Sequence, residues 1–270
     1  MHRRVLTLTL AATAGLLLGG CGSFSTTGGS ASRSPKSTAS GSGAEPVSGT
    51  VNVFAAASLK EAFTKLGQQF EAAHPGVKVV FNFGASSGLA TQITKGAPAD
   101  VYASASTANM DQVVTAGQAA SPKNFAGNVM EIAVPPGNPA GVQGLSDLAK
   151  PDLKVAVCQA TVPCGVTATK VFTNAKLTMT PVSQEIDVKA VLTKVTLGEV
   201  DAGLVYVTDV RAAGEKVKGI RIPTAVNAST KYPIATLTTA PNKAGGKAFT
   251  DYVLSADGAA VLTAAGFAKP

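Results

Sequence analysis

Gly84-x-Ser86-x-Gly88, within FGASSGL (83–89), has the spacing of a nucleophile elbow, the turn that exposes the reactive serine of many hydrolases. Such a serine needs a base, almost always histidine, held by an acid, and in this motif the histidine follows the serine. The chain has two histidines, His2 and His74, and both precede Ser86. His74, in EAAHPGV, is read as the end of a helix before Pro75, where a partial positive charge is tolerated. A Ser–Lys pair has no S-x-x-K at Ser86. The elbow spelling is thus left without its base. Ser86 can equally cap a helix or grip a ligand with its hydroxyl.

Other catalytic patterns are missing. There is no G-x-x-x-x-G-K-[ST] for a nucleotide, no G-x-G-x-x-G after a strand, and no His/Cys spacing for a metal. Tryptophan is absent and aromatics are few, so stacking surfaces for sugars or peptides are poor. The formal charge is +7, of which Arg3 and Arg4 contribute two. The other basic residues are scattered, with no basic run and no interleaved aromatics, which argues against nucleic acid. A mild positive balance suits an anionic solute.

The elements that must position Ser86 follow an alternation of short apolar strands and helical spacings, which predicts an α/β fold with mostly parallel sheet. Residues 51–54 read as a strand, followed by helical spacing of Leu59, Phe63, Leu66 and Phe70. VKVVFNF (77–83) is a second strand, with Leu89 and Ile93 on a helix after it. DVYA (100–103) is a third, followed by a helix over 110–116. MEIAVPPGNP (130–139) starts as a strand and breaks at its prolines. A second α/β series follows: LKVAV (153–157), helices from about Gly165 and Asp187, and the strand AGLVYV (202–207). Two helices end the chain. Two similar halves are expected, joined near 128–132 and 222–235.

Four helix starts look alike: Ser58 in AAASLKEA, Ser86 and Ser87 in GASSGLA, Val162 to Gly165 in ATVPCGVTA, and Asp187-Val188 in EIDVKAVL. A helix N-terminus exposes unpaired N–H groups and a positive dipole end, a ready anion site. Each also has a plain structural reading. Ser58 with Glu61 spells a capping box, Ser86 or Ser87 can cap, and Pro163 is a first-turn proline. Tyr206 in GLVYV reads by default as a half-buried strand aromatic. Ligands of α/β sheets sit at the carboxyl ends of strands, where these turns fall.

The chain opens with a basic n-region, an apolar stretch from Val5 to Leu18, and small residues, as a secretory signal does. Leu18-Gly19-Gly20-Cys21 resembles the lipobox of bacterial lipoproteins, which implies a signal peptide over 1–20 and lipid on Cys21; an ordinary secretory signal is the other reading. Residues 21–48 are rich in Ser, Gly and Thr and read as a lipid-anchored tether. No later stretch is long and apolar enough to cross a membrane. With Cys21 lipidated, Cys158 and Cys164 remain, an even pair in an oxidising compartment. A disulfide between them is favoured over two small buried thiols.

At AAASL, GASSGLA and GAPADVY the sequence resembles the periplasmic molybdate-binding proteins of ABC importers. The likeness runs through nearly all of 50–270, including VPCG, IDVKAVLTKVTLGEVDAGLVY and YVLSADGAAVLTAAGF. It implies an α/β, two-lobed periplasmic-binding-protein (type II) fold: two mixed-sheet domains joined by a hinge, lobe I being 49–129 with 229–270 and lobe II 130–228. It implies a binding protein, not an enzyme, on the extracytoplasmic face of a bacterial cell membrane. Its ligand would be molybdate or tungstate, with no cofactor and no direct metal ligand. The chain would be a monomer that serves permease and ATPase subunits on separate chains, touching the membrane through its lipid alone. Carried over by motif, the site comprises Ser58 and Ser86 of the first lobe, with hydroxyl and backbone donors, and Cys164, Val188 and Tyr206 of the second, with the main-chain N–H of Cys164 and Val188 and the hydroxyl of Tyr206. The family commonly has Ala where Cys164 stands; a backbone donor survives that change. Sulfate or another tetrahedral oxyanion is the nearest rival ligand.

Overall fold

The computed structural model describes residues 47–270; the signal peptide, Cys21 and most of the tether lie outside the described residues. The first lobe begins β1 (Gly49–Ala56), α1 (Lys60–Ala73), β2 (Val77–Gly84), α2 (Ser86–Thr94), β3 (Val101–Ala103) and α3 (Thr107–Thr115). The long β4 (Lys123–Val134) leads to the second lobe: β5 (Val155–Cys158), α4 (Pro163–Asn174), β6 (Ser183–Glu185), α5 (Val188–Thr196), β7 (Ala202–Tyr206), α6 (Val207–Ala213) and β8 (Lys218–Arg221). The chain then returns through β9 (Ser229–Thr236) to α7 (Lys243–Leu254) and α8 (Ala256–Ala264).

The strand order is β2-β1-β3-β9-β4-β7-β5-β6, with β8 also pairing β4. β4 is shared by two sheets. Lys123 to Val129 pair β9, while Met130 to Ala133 pair β7 and Glu131 to Val134 pair β8. Both sheets are mixed: β1–β2, β1–β3, β5–β6 and β5–β7 are parallel, and every pairing made by β4 or β9 is antiparallel. The expectation of a mostly parallel sheet is corrected by β4 and β9, which run between the lobes and so oppose the βαβ units. AGLVYV also ends one residue early as a strand. Tyr206 N–H donates to the Asp209 carboxylate at 3.0 Å, which turns the chain into α6.

Alternation along β1 places Val51, Val53 and Ala55 against α1, α7 and α8, and Phe54 on the other face with α2 and α3. Phe63 of α1 sits at the aromatic centre of the first lobe, 5.7 Å from Phe125 and 6.2 Å from Phe249 between ring centroids. The second lobe buries mostly Val, Ala and Leu around β5 and β7. Asp100, fully buried, pins β1 to the segment before α7 by accepting from Asn52 N–H at 2.7 Å and Asn242 N–H at 2.6 Å. This gives the acid of GAPADVY a structural task. Phe63→Ala is expected to lower stability by about 3–5 kcal/mol, as for large-to-small changes in a packed core; chemical denaturation reads the difference, and a loss below about 1 kcal/mol would contradict this centre.

Candidate functional site

The parallel strands of both sheets end at one cleft. β1 delivers Ser58, β2 Ser86, β5 Cys164, β6 Val188, and β7 ends on Tyr206 itself. These five residues, predicted from different parts of the chain, line one small cavity of about 20 Å³ together with Ala57, Ala85 and Ala105. Drug-sized sites run to about 300–1,000 Å³, so this one is scaled to a small ion. A wider cleft of about 440 Å³ adjoins it, sharing Gly84, Ala85, Val162 and Asp187 and lined also by Asn82, Gln92 and Gln159.

Three hydroxyls reach the cavity, on residues no more than 5 % exposed. Ser86 Oγ accepts from Ala105 N–H at 2.9 Å, and Tyr102 Oη donates to Ser86 O at 2.8 Å, which fixes the turn. Ser58 Oγ lies 2.8 Å from Tyr232 Oη. Tyr206 Oη is buried and makes no hydrogen bond of normal geometry to protein atoms of the described residues, although the Thr167 hydroxyl stands beside it. Burial holds its phenol well above the usual tyrosine range, so it stays a donor. A buried polar atom without a partner costs about 1–3 kcal/mol. Tyr206 is therefore fully buried and orphaned, not the half-buried strand aromatic of the default reading.

Helix starts add main-chain donors. Pro163 occupies the first position of α4 and has no N–H, so Cys164 carries the first N–H of that helix. Asp187 caps α5 by accepting from Lys189 N–H and Ala190 N–H, which leaves the Val188 N–H untaken by the cap. Asp187 also lines the cavity, but its Oδ1 is engaged in that cap. A disulfide joins Cys158 at the end of β5 to Cys164, with Cα atoms 5.7 Å apart. Gly165 is required beside it, because a Cβ there would collide with the Gln159 carbonyl.

The plain readings of two serines are overturned. Neither α1 nor α2 receives a side-chain cap; their N-caps are Leu59 and Ala85. Ser58 lies in the short 3₁₀ turn before α1, and its hydroxyl turns to Tyr232. Glu61 faces Lys189 instead, across the cleft at 2.7 Å. Lys189 also pairs with the fully buried Asp209 at 2.9 Å. Burial alone would lower the lysine's pKa, but the Asp209 and Glu61 carboxylates raise it, so it stays charged. Burial pushes Asp209 up, against the pull of Lys189. The cation nearest in sequence to Val188 is thus held by two carboxylates. Among the described residues no Lys or Arg lines the cavity.

Ser86 has no base. His74 is the C-cap of α1, its ring tilted against Phe70 with ring centroids 4.4 Å apart. Among the described residues no group of three or more His, Cys, Asp or Glu is placed to hold a metal. Tyr232, Asn128 and Ala105 carry no local signal in the sequence, whereas Gly165 stands in the VPCG helix start.

The sequence profile of the family described as bacterial extracellular solute-binding protein matches residues 51–268. The molybdate-binding protein ModA of Mycobacterium tuberculosis H37Rv is 46% identical over 242 residues, covering 88% of this chain and 91% of that one. A solved substrate-binding domain of a putative molybdenum ABC transporter from Clostridium difficile is 29% identical with a TM-score of 0.61, over 82% of this chain and 99% of that one. The periplasmic molybdate-binding protein of Azotobacter vinelandii, 21% identical, shares the fold with a TM-score of 0.73 over 82% of this chain and 99% of that chain.

Because Tyr206 Oη makes no hydrogen bond of normal geometry to protein, Tyr206→Phe is expected to leave ligand-free stability unchanged or to raise it by up to about 1–3 kcal/mol. A hydroxyl in a structural hydrogen bond would lose about 0.5–1.5 kcal/mol. Denaturant unfolding separates the two outcomes.

Proposed function

The chain belongs to the bacterial extracellular solute-binding proteins, and from that premise we propose that it captures molybdate, or tungstate, with high affinity outside the cytoplasm for delivery to an ABC importer. The observation that carries this reading is the orphaned Tyr206 hydroxyl, buried in a cavity that gathers donors from both lobes and no cation. The ModA relative at 46% identity supports the choice of ion.

Molybdate at neutral pH is a dianion with four acceptor oxygens and no proton to give. The hydroxyls and N–H groups of Ser58 and Ser86, the N–H groups of Cys164 and Val188, and the Tyr206 hydroxyl offer it donors alone. About seven charge-assisted hydrogen bonds at ~1.5–3 kcal/mol give ~10–20 kcal/mol gross. Nanomolar affinity needs ~12 kcal/mol net. The margin is thin once dehydration is counted, so the donors must be aimed beforehand. The dipoles of α4 and α5 add to this.

Monohydrogen phosphate carries a proton that needs an acceptor, and this set has none to spare. Sulfate has the same acceptor pattern and is rejected by size, since a smaller anion leaves several donors too far away. We take lobe I as 49–129 with 229–270 and lobe II as 130–228, a division supported by the change of partner along β4 at Val129 and Met130. Binding favours the closed hinge, because both lobes contact one ion. Cys21 carries the lipid, and 22–48 tethers the body to the membrane. The permease and ATPase are separate chains. The protein acts as a monomer and performs no catalysis, Ser86 having no base.

Calorimetric titration of the purified protein should give tight binding of molybdate and tungstate, with sulfate and phosphate at least a hundredfold weaker. Equal sulfate affinity would contradict the size argument. Ser58→Ala with Ser86→Ala should weaken molybdate binding at least tenfold while the protein stays folded; unchanged affinity would leave both serines outside the site.

A further inference from the structure

We propose that Asn128 is a specificity-determining residue: through Tyr232 it fixes the Ser58 hydroxyl as a donor, and so makes the site refuse ions that bring their own proton. The proposal rests on the reading of the cavity as an oxyanion site and adds the residues that set its polarity.

The direction of each bond follows from the one before it. Asn128 is 3 % exposed and stands on β4 beside the point where that strand changes sheets. Its Oδ1 accepts from Val129 N–H at 3.0 Å. A backbone N–H can only donate, so the oxygen of the amide must face it. The Nδ2 group therefore faces the other way, 2.8 Å from Thr208 Oγ1 and 3.4 Å from Tyr232 Oη. An amide NH₂ offers hydrogens and no lone pair.

Tyr232 is fully buried, and its hydroxyl has two polar neighbours, Asn128 Nδ2 and Ser58 Oγ. The amide cannot accept. The Tyr232 proton consequently goes to Ser58 Oγ, at 2.8 Å. Ser58 receives that bond on a lone pair and keeps its own proton for the cavity. Ser86 reaches the same condition by another route, accepting from Ala105 N–H. The first lobe thus presents two serine protons.

Thr208 belongs to α6 of the second lobe, and Tyr232 to β9 of the first. Asn128 is bonded to both, so the polarity of Ser58 is tied to a residue at the crossing between lobes. A serine whose proton were free to turn could accept from a protonated oxyanion. Here that orientation would set the Tyr232 proton against Ser58's own, with no acceptor for either.

Asn128→Asp reverses the chain of donors. The carboxylate keeps one oxygen on Val129 N–H, and the other now accepts from Thr208 and Tyr232. Tyr232 Oη then accepts from Ser58, and Ser58 shows lone pairs to the cavity. The added negative charge weakens all anions, so the readout is the ratio of molybdate to monohydrogen phosphate affinity. Tyr232→Phe carries no charge change and frees Ser58 to turn either way. Loss of packing alone would lower both affinities in proportion and leave the ratio in place.

The test titrates wild type, Asn128→Asp and Tyr232→Phe with sodium molybdate and with inorganic phosphate at pH 8, after confirming a cooperative melting transition for each. The expected result is a ratio at least tenfold lower in both variants than in wild type. If Asn128→Asp does not fold, Tyr232→Phe decides. A ratio within twofold of wild type in the folded variants overturns the role of Asn128. Wild type that binds no molybdate overturns the functional reading itself, a result separable from the first because it appears before any substitution is made.

Discussion

A buried hydroxyl whose proton has no protein acceptor is an unfinished hydrogen bond, and the cavity is built around such groups. Ser86 accepts from Ala105 N–H and Ser58 from Tyr232, each with one of its two lone pairs, while Tyr206 makes no hydrogen bond of normal geometry among the described residues. Helix starts without a first N–H partner add to the surplus at Cys164 and Val188. A site with donors in excess, whose one lining carboxylate, Asp187, has Oδ1 engaged in its helix cap, is incomplete until something made of acceptors enters it. The nearest lysine in sequence, Lys189, does not relieve this, because Glu61 and Asp209 hold it. In the proposed function neutral donors carry the binding of charge, and selectivity follows from their polarity as well as from their spacing.

The fold exists around this site in a specific sense. Parallel strands in each lobe end at the cleft, and the antiparallel β4 and β9 connect the two lobes beside it. The alternation of β4 partners places Asn128 on the first sheet and Met130, opposite Tyr206, on the second. The residue that orients a first-lobe donor is therefore two positions from the residue paired with a second-lobe donor. Glu61 and Lys189 meet across the same cleft, so the arrangement described is one in which the lobes face each other.

Local signals made the donors legible in the sequence. Each lies in a turn between a strand and a helix, and such turns announce themselves through small residues, a first-turn proline or an Asx cap. What orients those donors was not legible. Tyr232 reaches Ser58 across 174 positions and Asn128 across 104 positions reaches Tyr232, and no periodicity links residues that far apart. The S-x-x-E spelling at Ser58 misled for a related reason: Glu61 is drawn away by Lys189, 128 residues on, so tertiary electrostatics displaced the local cap. The mixed sheets came from the family resemblance and not from the strand–helix alternation, since βαβ rhythm is a local pattern and the direction of β4 and β9 is not.

The central claim is that uncharged groups from both lobes, and they alone, hold a doubly negative tetrahedron. The most direct measurement is a crystal structure of the protein grown with molybdate. The anion is expected in the cavity between the lobes, within hydrogen-bond distance of the Ser58, Ser86 and Tyr206 hydroxyls and of the Cys164 and Val188 N–H groups. An anion held by a lysine or arginine side chain, or seated away from Tyr206, would contradict it.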